Sequence, residues 1–324
     1  MKEATNSYKS LDTILPYFNI NKEDYWHVDY KILNFEPINY YWDLSRKYLD
    51  FAGEFDESGI PLYLGADGNK YHSVIFLGHF ALGAFQEYVK SNSESSKKDF
   101  LRICDWLIDN IENSALHYGI WLNKYPMALF KLENSWSSGL AQAKGISCLV
   151  RAFHLTKQKK YLSTAIMASK MFSVARDEGG LLAEVDGMYV IEEYTTTQAS
   201  CVLNGHIFAI WSIYDILLFE EFVESKEVER LKGLYEILIE SLASNLERWD
   251  NGFWSKYDIW SEHNNISSLF YHDLHIKQLI IMWKMTGKVQ FIERANKWSS
   301  QRGRFSNRMI ALFSKVTFRL RGRL

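Results

Sequence analysis

The 324-residue sequence lacks the features of a secreted, membrane-spanning or nucleic-acid-binding protein. Residues 1–13 contain no apolar core of signal-peptide length, and no apolar run reaches the length of a membrane span. The formal net charge of −2 gives no reason to expect a nucleic-acid partner. Only three cysteines are present, far apart in apolar helical patterns and without metal-site spacing: Cys104, Cys148 and Cys201. We therefore expect buried thiols and a cytoplasmic protein.

Familiar catalytic motifs are absent as well. The sequence contains no GxSxG, P-loop, Rossmann or HExxH pattern. His272 and His275 lie three residues apart on a predicted helix, a spacing at which two histidines can share a metal ion. The sequence dictates no third ligand, so substrate contact or core packing is the better interpretation of this pair. We expect neither a metal ion nor a cofactor.

Aromatic residues, by contrast, are abundant. They make up 15% of the chain, with 11 Trp and 19 Tyr. Most of these rings should pack in the core, which the hydrophobic fraction of 47% is large enough to form. Flat, half-polar rings also line grooves that stack on sugar faces, so carbohydrate binding is a second use for some of them.

A helix pair recurs along the chain at intervals of roughly 60 residues. The first helix of each pair has Gly, Ala and Ser among apolar residues and little charge; these segments are 76–89, 139–156, 202–219 and 272–287. The second helix is amphipathic; these segments are 97–111, 158–172, 225–242 and 287–301. A helix without a polar face packs inside, and an amphipathic helix packs outside. The pattern therefore predicts a mainly α protein, an incomplete (α/α) toroid of about four helical hairpins with an open cleft.

Short strand-like inserts follow the outer helices at equivalent points of the repeat. Alternating apolar and polar residues predict β-hairpins in segments 118–125, 179–194 and 251–260. Because they recur at the same point, we expect them to gather at one end of the toroid, where a site is usually built.

The two ends of the chain differ from the repeats. Residues 1–72 are aromatic and turn-rich, which predicts an N-terminal β-hairpin and arm packing on a toroid domain of residues 73–301. Residues 302–324 carry seven basic residues and no acidic one, with an apolar helical stripe at Met309, Leu312, Phe313, Val316 and Leu320. Two interpretations stay open. The segment lies on an anionic membrane surface near a polysaccharide-assembly machine, or it caps the toroid with a solvated basic face.

Polar residues collect where the inserts meet the inner helices. They are Glu192, Glu193, Tyr194, Asn204, Gly205, Tyr257, Asp258, Tyr271, His272 and His275. Each has an ordinary structural explanation when taken alone. Their placement at equivalent ends of successive repeats nevertheless predicts a concave acidic and phenolic site.

Four ordered segments carry a resemblance to a known family: NSWSSGLAQAKG, EEYTTTQASCVLNG, WSKYD and FYHDLHIKQL. They are similar to successive motifs of the D-glucuronyl C5-epimerase C-terminal domain, from about Asn134 to Gln278, with weaker similarity over 55–63. Eukaryotic members of that family add a β-rich domain upstream. The resemblance implies inversion of C5 of D-glucuronate within a polysaccharide, giving L-iduronate, by proton abstraction and reprotonation without a cofactor.

The resemblance also implies roles for individual residues. The expected catalytic residues are Glu193, Tyr194, Tyr257 and Tyr271. The expected substrate contacts are Trp136, Gln142, Lys144, Asn204, His272 and His275. A desolvated Glu193 would act as the base on one face of the sugar, and a tyrosine would return a proton on the other.

The sequence departs from the family pattern at three positions. Thr195 replaces a proline, Lys144 interrupts the AQxxG helix, and Trp260 stands where we expect an arginine that meets the uronate carboxylate. Either Lys144, Lys256 or His275 supplies the cation instead, or the uronate differs. The expected partner is a uronate polysaccharide and not nucleic acid, in the cytoplasm or at the inner face of its membrane; a homodimer is implied by resemblance only.

Three rival functions remain open at this level. A polysaccharide lyase shares the proton abstraction but then expels the C4 oxygen. A glycoside hydrolase on an (α/α) toroid needs two carboxylates, for which Glu193 with Asp258 or Glu184 is conceivable. A glycan-binding relative without activity would bind saccharide and not turn it over.

Overall fold

The structure is a computed structural model that describes residues 13–20, 29–32, 36, 39–114, 118–133 and 135–321. Within these ranges it contains ten α-helices and ten short strands. The helices are α1 (Ser45–Leu49), α2 (Val74–Ser91), α3 (Glu94–Asp109), α4 (Gly139–Thr156), α5 (Lys159–Ser169), α6 (Leu203–Leu217), α7 (Ser225–Asn245), α8 (Leu269–Thr286), α9 (Val289–Gly303) and α10 (Phe305–Arg321). The strands are β1 (Asp29–Ile32), β2 (Trp42–Asp43), β3 (Tyr63–Leu64), β4 (Lys70–Tyr71), β5 (Glu112–Asn113), β6 (Gly119–Ile120), β7 (Leu122–Asn123), β8 (Trp136–Ser137), β9 (Leu182–Val185) and β10 (Met188–Ile191).

Eight of these helices form four hairpins: α2–α3, α4–α5, α6–α7 and α8–α9. Three of the connections turn at a left-handed residue that ends the first helix, at Asn92, Lys157 and Gly287. The first helices of the hairpins contact each other in order, α2 on α4, α4 on α6 and α6 on α8. The predicted toroid of about four helical hairpins is therefore confirmed.

Burial separates inner from outer helices as the sequence predicts. Residues 139–153 of α4 are buried without interruption, so this helix has no solvent face. In α3 the buried positions follow one stripe, ending at Ile103, Cys104 and Leu107. Small residues let the inner helices approach, since a Cβ on Gly78 of α2 would lie 2.5 Å from Lys144 Cβ. All three cysteines are buried and unpaired, as expected.

The N-terminal segment lies against both ends of the helical array. Strand β1 pairs with β2 and contacts α8, while α1 packs on α2. Gln86 of α2 fixes this segment, accepting from Leu44 N at 2.6 Å and donating to Trp42 O at 2.7 Å. The predicted arm of residues 1–72 lies partly outside the described residues, because 1–12, 21–28, 33–35 and 37–38 are not described.

A buried ion pair joins the N-terminal segment to the inner helices. Arg151 of α4 donates to Asp215 of α6 from Nη1 at 2.8 Å and from Nη2 at 3.2 Å. The same carboxylate accepts from Ser147 Oγ at 2.6 Å and Tyr41 OH at 3.0 Å. Four donors satisfy this carboxylate, which is what a charge removed from water requires.

The inserts follow the sequence predictions unevenly. Segment 179–194 forms the β9–β10 hairpin, whose turn residues Asp186 and Gly187 both have positive φ. Segment 118–125 instead provides β6 and β7, which pair with β5 and β8. Residues 251–260 form only isolated bridges, because their partners come from Asp250 and from Ile266.

The last described helix, α10, is a separate element that packs on the fourth hairpin. Arg308 Nε donates to Tyr17 O at 2.8 Å, and Asn307 Nδ2 donates to Gln301 O at 3.1 Å. Among the helices of the described ranges, none combines the length and apolar character that crossing a bilayer demands.

Candidate active site

A cavity of about 220 Å³ opens where the inner helices meet the inserts. Four residues predicted for the site line it: Glu193, Tyr194, Asn204 and Tyr271. The remaining lining residues are Trp42, Lys47, Tyr63, Ser73, Ile75, Phe76, His79, Phe80, Tyr125, Met127, Leu140, Phe208, Phe270 and Leu274. The lining is therefore an aromatic wall with a few polar groups, a composition typical of small-molecule and saccharide sites.

The carboxylate of Glu193 is the acidic group of this wall. It is 2% exposed, and each of its oxygens has a partner. Asn204 Nδ2 donates to Oε2 at 3.1 Å, and Tyr257 OH lies 3.4 Å from Oε1. The Oδ1 atom of Asn204 is buried and has no hydrogen-bond partner among the described residues.

Burial sets the protonation state of Glu193. Desolvation raises its pKa from 4.5 to about 7, although hydrogen bonds from Tyr194, Tyr257 and Asn204 oppose the rise. A carboxyl group with this pKa exchanges protons near neutral pH, as an efficient general base must.

A backbone hydrogen bond at Gly139 and the absence of a side chain at Gly205 position Glu193. Gly139 N donates to Glu192 O at 2.8 Å, which holds the end of β10 on the start of α4. Gly205 lies in the first turn of α6, where a Cβ would overlap Glu193 Oε2 and come within 2.7 Å of Glu193 Cβ. A glycine is therefore required for the helix to lie directly on this carboxylate.

The adjacent carboxylate, Glu192, has a structural task. Its Oε2 accepts from Ser200 N and Ser200 Oγ, both at 2.8 Å, and its Oε1 accepts from Cys201 N at 2.8 Å. These bonds close the loop that leads into α6. The two neighbouring glutamates thus differ in role: Glu192 holds the backbone and Glu193 faces the cavity.

Phenol groups surround Glu193. The rings of Tyr257 and Tyr271 meet edge to face with centroids 4.6 Å apart. Burial raises the pKa of Tyr194, Tyr257 and Tyr271 above the usual value of 10, and the charge of Glu193 adds to the rise. All three phenols are therefore protonated at neutral pH and act as hydrogen-bond or proton donors.

A second aromatic cluster supports Tyr194 from behind. Tyr194 stacks on Phe130 with ring centroids 3.9 Å apart, and Trp136 lies 5.4 Å away. Trp260, which stands at the position of the expected arginine, packs against Phe130 at 5.6 Å. Neither tryptophan is among the residues that line the cavity.

Several predicted substrate contacts lie elsewhere. Both N–H groups of Gln142 are used, by Gly119 O and Ala168 O at 3.0 Å, and its Oε1 accepts from Trp121 N. Gln142 therefore fixes strands β6 and β7 to α4 from a fully buried position.

The histidine pair is also interior. His272 stacks on Trp254 with centroids 3.7 Å apart, and burial lowers its pKa to about 3. Its Nδ1 and that of His275 both meet Ser255 Oγ, at 2.8 and 3.0 Å. No three His, Cys, Asp or Glu side chains in the described part of the chain lie close enough together to hold a metal ion.

None of the three cations that could replace the missing arginine lines the cavity. Lys144 is fully buried, donates to Tyr40 OH at 2.7 Å and lies 3.6 Å from the centroid of Phe208. Burial lowers the pKa of Lys144 and of His275 well below their usual values. Lys256 is absent from the lining.

The structure brings in residues that the sequence interpretation missed. Lys47 and His79 line the cavity, and burial lowers the pKa of His79 well below 6.5. His79 Nδ1 donates to Ile75 O at 2.7 Å, which leaves Nε2 as an acceptor in the neutral ring. Ser73 Oγ pairs with Tyr125 OH at 3.0 Å on another part of the wall. No motif connects these residues, although Tyr63 ends the weakly similar segment 55–63.

The described lining of the cavity provides no second carboxylate of the kind that a hydrolase needs. Asp258 accepts from Asn265 Nδ2 at 2.7 Å and contacts His263 at 3.2 Å. Glu184 is exposed on β9. Among the described lining residues, Glu193 is the only carboxylate.

Comparison with known proteins extends these observations. A family model described as D-glucuronyl C5-epimerase C-terminus matches residues 113–300. A D-glucuronyl C5-epimerase of Caenorhabditis elegans is 28% identical over 205 residues, which are 59% of this chain and 33% of that protein. The chain thus spans about a third of the length of that relative. An uncharacterised protein of Methanocaldococcus jannaschii is 24% identical over 273 residues, 81% of this chain and 82% of its own length.

Solved structures add a fold relationship. The cellobiose 2-epimerase of Spirochaeta thermophila matches with a TM-score of 0.55 at 10% identity, over 79% of this chain and 65% of that one. At this identity the match shows the shared helical toroid.

Proposed function

Because this chain belongs to the family of the D-glucuronyl C5-epimerase C-terminus, as its ordered motifs predict, we propose that it inverts C5 of glucuronate residues within a polysaccharide. The coarser proposal is a carbohydrate epimerase, and the finer one is conversion of D-glucuronate to L-iduronate. The observation that carries both is Glu193: a buried carboxylate on a cavity wall, with a pKa of about 7 and phenols around it.

The proposed first step is removal of the C5 proton by the Glu193 carboxylate. The C–H electron pair moves toward the substrate carboxylate, which becomes an enolate, and Glu193 becomes neutral. Glu193 is well suited to this step because desolvation makes its carboxylate a stronger base than one in water. The step needs no redox cofactor, because no electrons leave the substrate.

The proposed second step is return of a proton to C5 from the opposite face. Tyr271 and Tyr194 line the cavity and hold their protons at neutral pH, so we assign the donor role to this pair. The phenolate formed recovers a proton from solvent, and Glu193 releases its own. Tyr257 lies by Glu193 Oε1 and is absent from the lining, so we assign it the role of supporting the base.

The substrate carboxylate needs a cation as enolate charge develops. We assign this role to Lys47, which is the one lysine or arginine among the described lining residues. His79 is neutral by its lowered pKa and offers an acceptor for a sugar hydroxyl.

A deuterium-exchange experiment tests this proposal. The protein is incubated with glucuronate polymers in deuterated water, and the products are examined by NMR, ultraviolet absorbance and reducing-end assay. Deuterium at C5 of an intact chain is the expected result. Unsaturated ends would instead identify a lyase, new reducing ends a hydrolase, and saccharide binding without either change a glycan-binding protein.

A lysine variant tests the proposed carboxylate contact. Lys47→Met should raise KM for a uronate polymer and lower kcat, whereas Lys47→Arg should retain a large part of both. The exposed Lys124→Met serves as the control, since Lys124 pairs with Glu112 at the surface. Equal kinetics for Lys47→Met and the unchanged protein would remove Lys47 from the site and leave the epimerase proposal standing.

A further inference from the structure

The two faces of helix α10 have opposite character. One face packs on the protein through Asn307, Arg308, Ala311 and Lys315. The other face presents five large apolar side chains, between 42% and 69% exposed: Phe305, Ile310, Phe313, Val316 and Leu320. Positions 310, 313, 316 and 320 follow helical spacing, so these side chains form one continuous stripe.

The apolar surface extends beyond the helix. Phe18 is 46% exposed, and its ring lies 6.4 Å from that of Phe305. Ile20, two residues further along the chain, is also about half exposed. Large apolar side chains grouped in this way on a protein surface usually mark a site of interaction.

The charge of this region favours an anionic partner over a second copy of the chain. Residues 302–324 contain seven basic residues and no acidic one. Arg308 and Lys315 are used on the inner face, and Arg302 pairs with Asp273 at 2.9 Å. Arg304 and Arg319 are exposed beside the stripe, and Arg321 and Arg323 follow in the sequence. Two copies of this helix placed face to face would bring like charges together, which opposes self-association.

We propose that α10 docks the protein on an anionic lipid bilayer, with the stripe from Phe305 to Leu320 in the headgroup region. A helix with an apolar stripe and a purely basic flank satisfies both components of such a surface, the acyl boundary and the negative headgroups. The inner face stays on the protein, so docking requires no unfolding of the toroid.

This attachment is connected to the candidate active site. Lys315 Nζ donates to Asn265 Oδ1 at 2.6 Å, and Asn265 O accepts from Tyr257 N at 2.8 Å. Helix α10 is therefore linked through Asn265 to the segment that holds Tyr257 beside Glu193.

Vesicle flotation tests the proposal independently of catalysis. The probes are vesicles of phosphatidylcholine alone and of phosphatidylcholine mixed equally with phosphatidylglycerol. We expect the protein to float with the anionic vesicles only, and added salt to weaken the binding. The double variant Phe313→Ser, Leu320→Ser should bind at least about tenfold more weakly, since both side chains would be buried in the interface. Arg319→Gln should weaken binding about fivefold, as expected for one basic residue near an anionic surface.

A surface variant remote from α10 provides the control. Ile237 of α7 is 50% exposed, and Ile237→Ser should bind anionic vesicles as the unchanged protein does. Equal binding by the double variant would overturn the proposal, as would failure of the unchanged protein to bind either vesicle. A concentration-dependent dimer that the double variant abolishes, without vesicle binding, would assign the face to a second copy and also overturn it.

Discussion

Replacing Glu193 by Gln should make the protein more stable at neutral pH while abolishing exchange at C5. The physical reason is that folding places this carboxylate where its charged form is disfavoured. Its pKa rises from 4.5 to about 7, which is a shift of roughly 2.5 units. At about 1.36 kcal/mol per unit, the ionised group costs about 3 kcal/mol of folding stability. Gln carries no charge and avoids this cost.

The sign of the pH dependence follows from linkage. The folded state binds the proton of Glu193 more tightly than the unfolded state does, because its pKa is raised. The contribution of this group to the free energy of unfolding is therefore fully present below about pH 4.5, where it is protonated in both states. This contribution is lost as pH rises through about 7. The amide nitrogen of Gln cannot accept a hydrogen bond from Asn204 Nδ2. Loss of this hydrogen bond reduces the stabilisation by about 1 kcal/mol. The net stabilisation expected near pH 8 is about 2 kcal/mol, and none is expected near pH 4.

Urea unfolding and thermal denaturation followed by circular dichroism measure this difference. For a chain of this size, about 2 kcal/mol corresponds to a rise in Tm of roughly 3 °C. Glu192→Gln is the matched control, because Glu192 accepts three hydrogen bonds and an amide nitrogen accepts none. Burial raises the pKa of Glu192 as well, so removing its charge offsets part of this loss, and the variant should be less stable than Glu193→Gln at the same pH. A Glu193→Gln protein that is less stable than the unchanged protein near pH 8 would refute the reasoning.

Three further predictions follow from the same contacts. Asn204→Leu removes a hydrogen bond that lowers the pKa of Glu193, so the rising limb of the pH–rate profile, expected at about 7, should move to higher pH by up to about one unit; an unchanged limb would contradict the assignment of Glu193 as base. Gly205→Ala should displace the Glu193 carboxylate and lower the exchange rate, whereas Gly233→Ala in α7, where a Cβ meets no atom within 4 Å, should leave the rate intact and stabilise the fold by up to about 1 kcal/mol in urea unfolding. Arg151→Met leaves Asp215 buried without its ion-pair partner, so the free energy of unfolding should fall by about 3–5 kcal/mol; a loss below about 1 kcal/mol would show that the pair contributes little.

The sequence predicts the scaffold because its cause is local. In the first three pairs, the first helix has glycine, alanine or serine among its apolar residues and little charge, and this signal separates inner from outer helices without knowledge of contacts. The turn at Asp186–Gly187 is equally local, since both residues tolerate positive φ. The hairpin predicted for residues 179–194 ends at Glu193 and Tyr194, and in the structure both residues follow β10 closely.

The rest of the cavity could not be predicted because tertiary packing assembles it. Lys47 comes from α1 and Tyr125 follows β7, and nothing in the sequence links either to Glu193. Gln142 is the reverse case, a residue predicted to contact substrate that does not line the cavity. Because residues 139–153 of α4 are buried on every side, periodicity does not indicate which polar residue of this helix faces a cavity. The side chain is used by backbone groups instead.

The C-terminal segment shows what the structure adds to a composition argument. The sequence predicts one apolar stripe in 302–324, at Met309, Leu312, Phe313, Val316 and Leu320. In the structure Met309 and Leu312 pack inward against the cluster of Tyr17 and Trp254, and the exposed apolar face includes Phe305 and Ile310 in their place. Only the packing of α10 distinguishes these two surfaces. The proposed membrane docking should therefore depend more on Phe313 and Leu320 than on the number of basic residues.

The most direct test of the central claim is the rate of deuterium incorporation at C5 of a glucuronate polymer in deuterated water, measured by NMR for the unchanged protein, Glu193→Gln and Glu192→Gln. The account predicts incorporation with an intact polymer for the unchanged protein and a loss of at least about a hundredfold for Glu193→Gln. It predicts partial activity for Glu192→Gln in proportion to the protein that remains folded. Incorporation by Glu193→Gln at the normal rate would contradict the account.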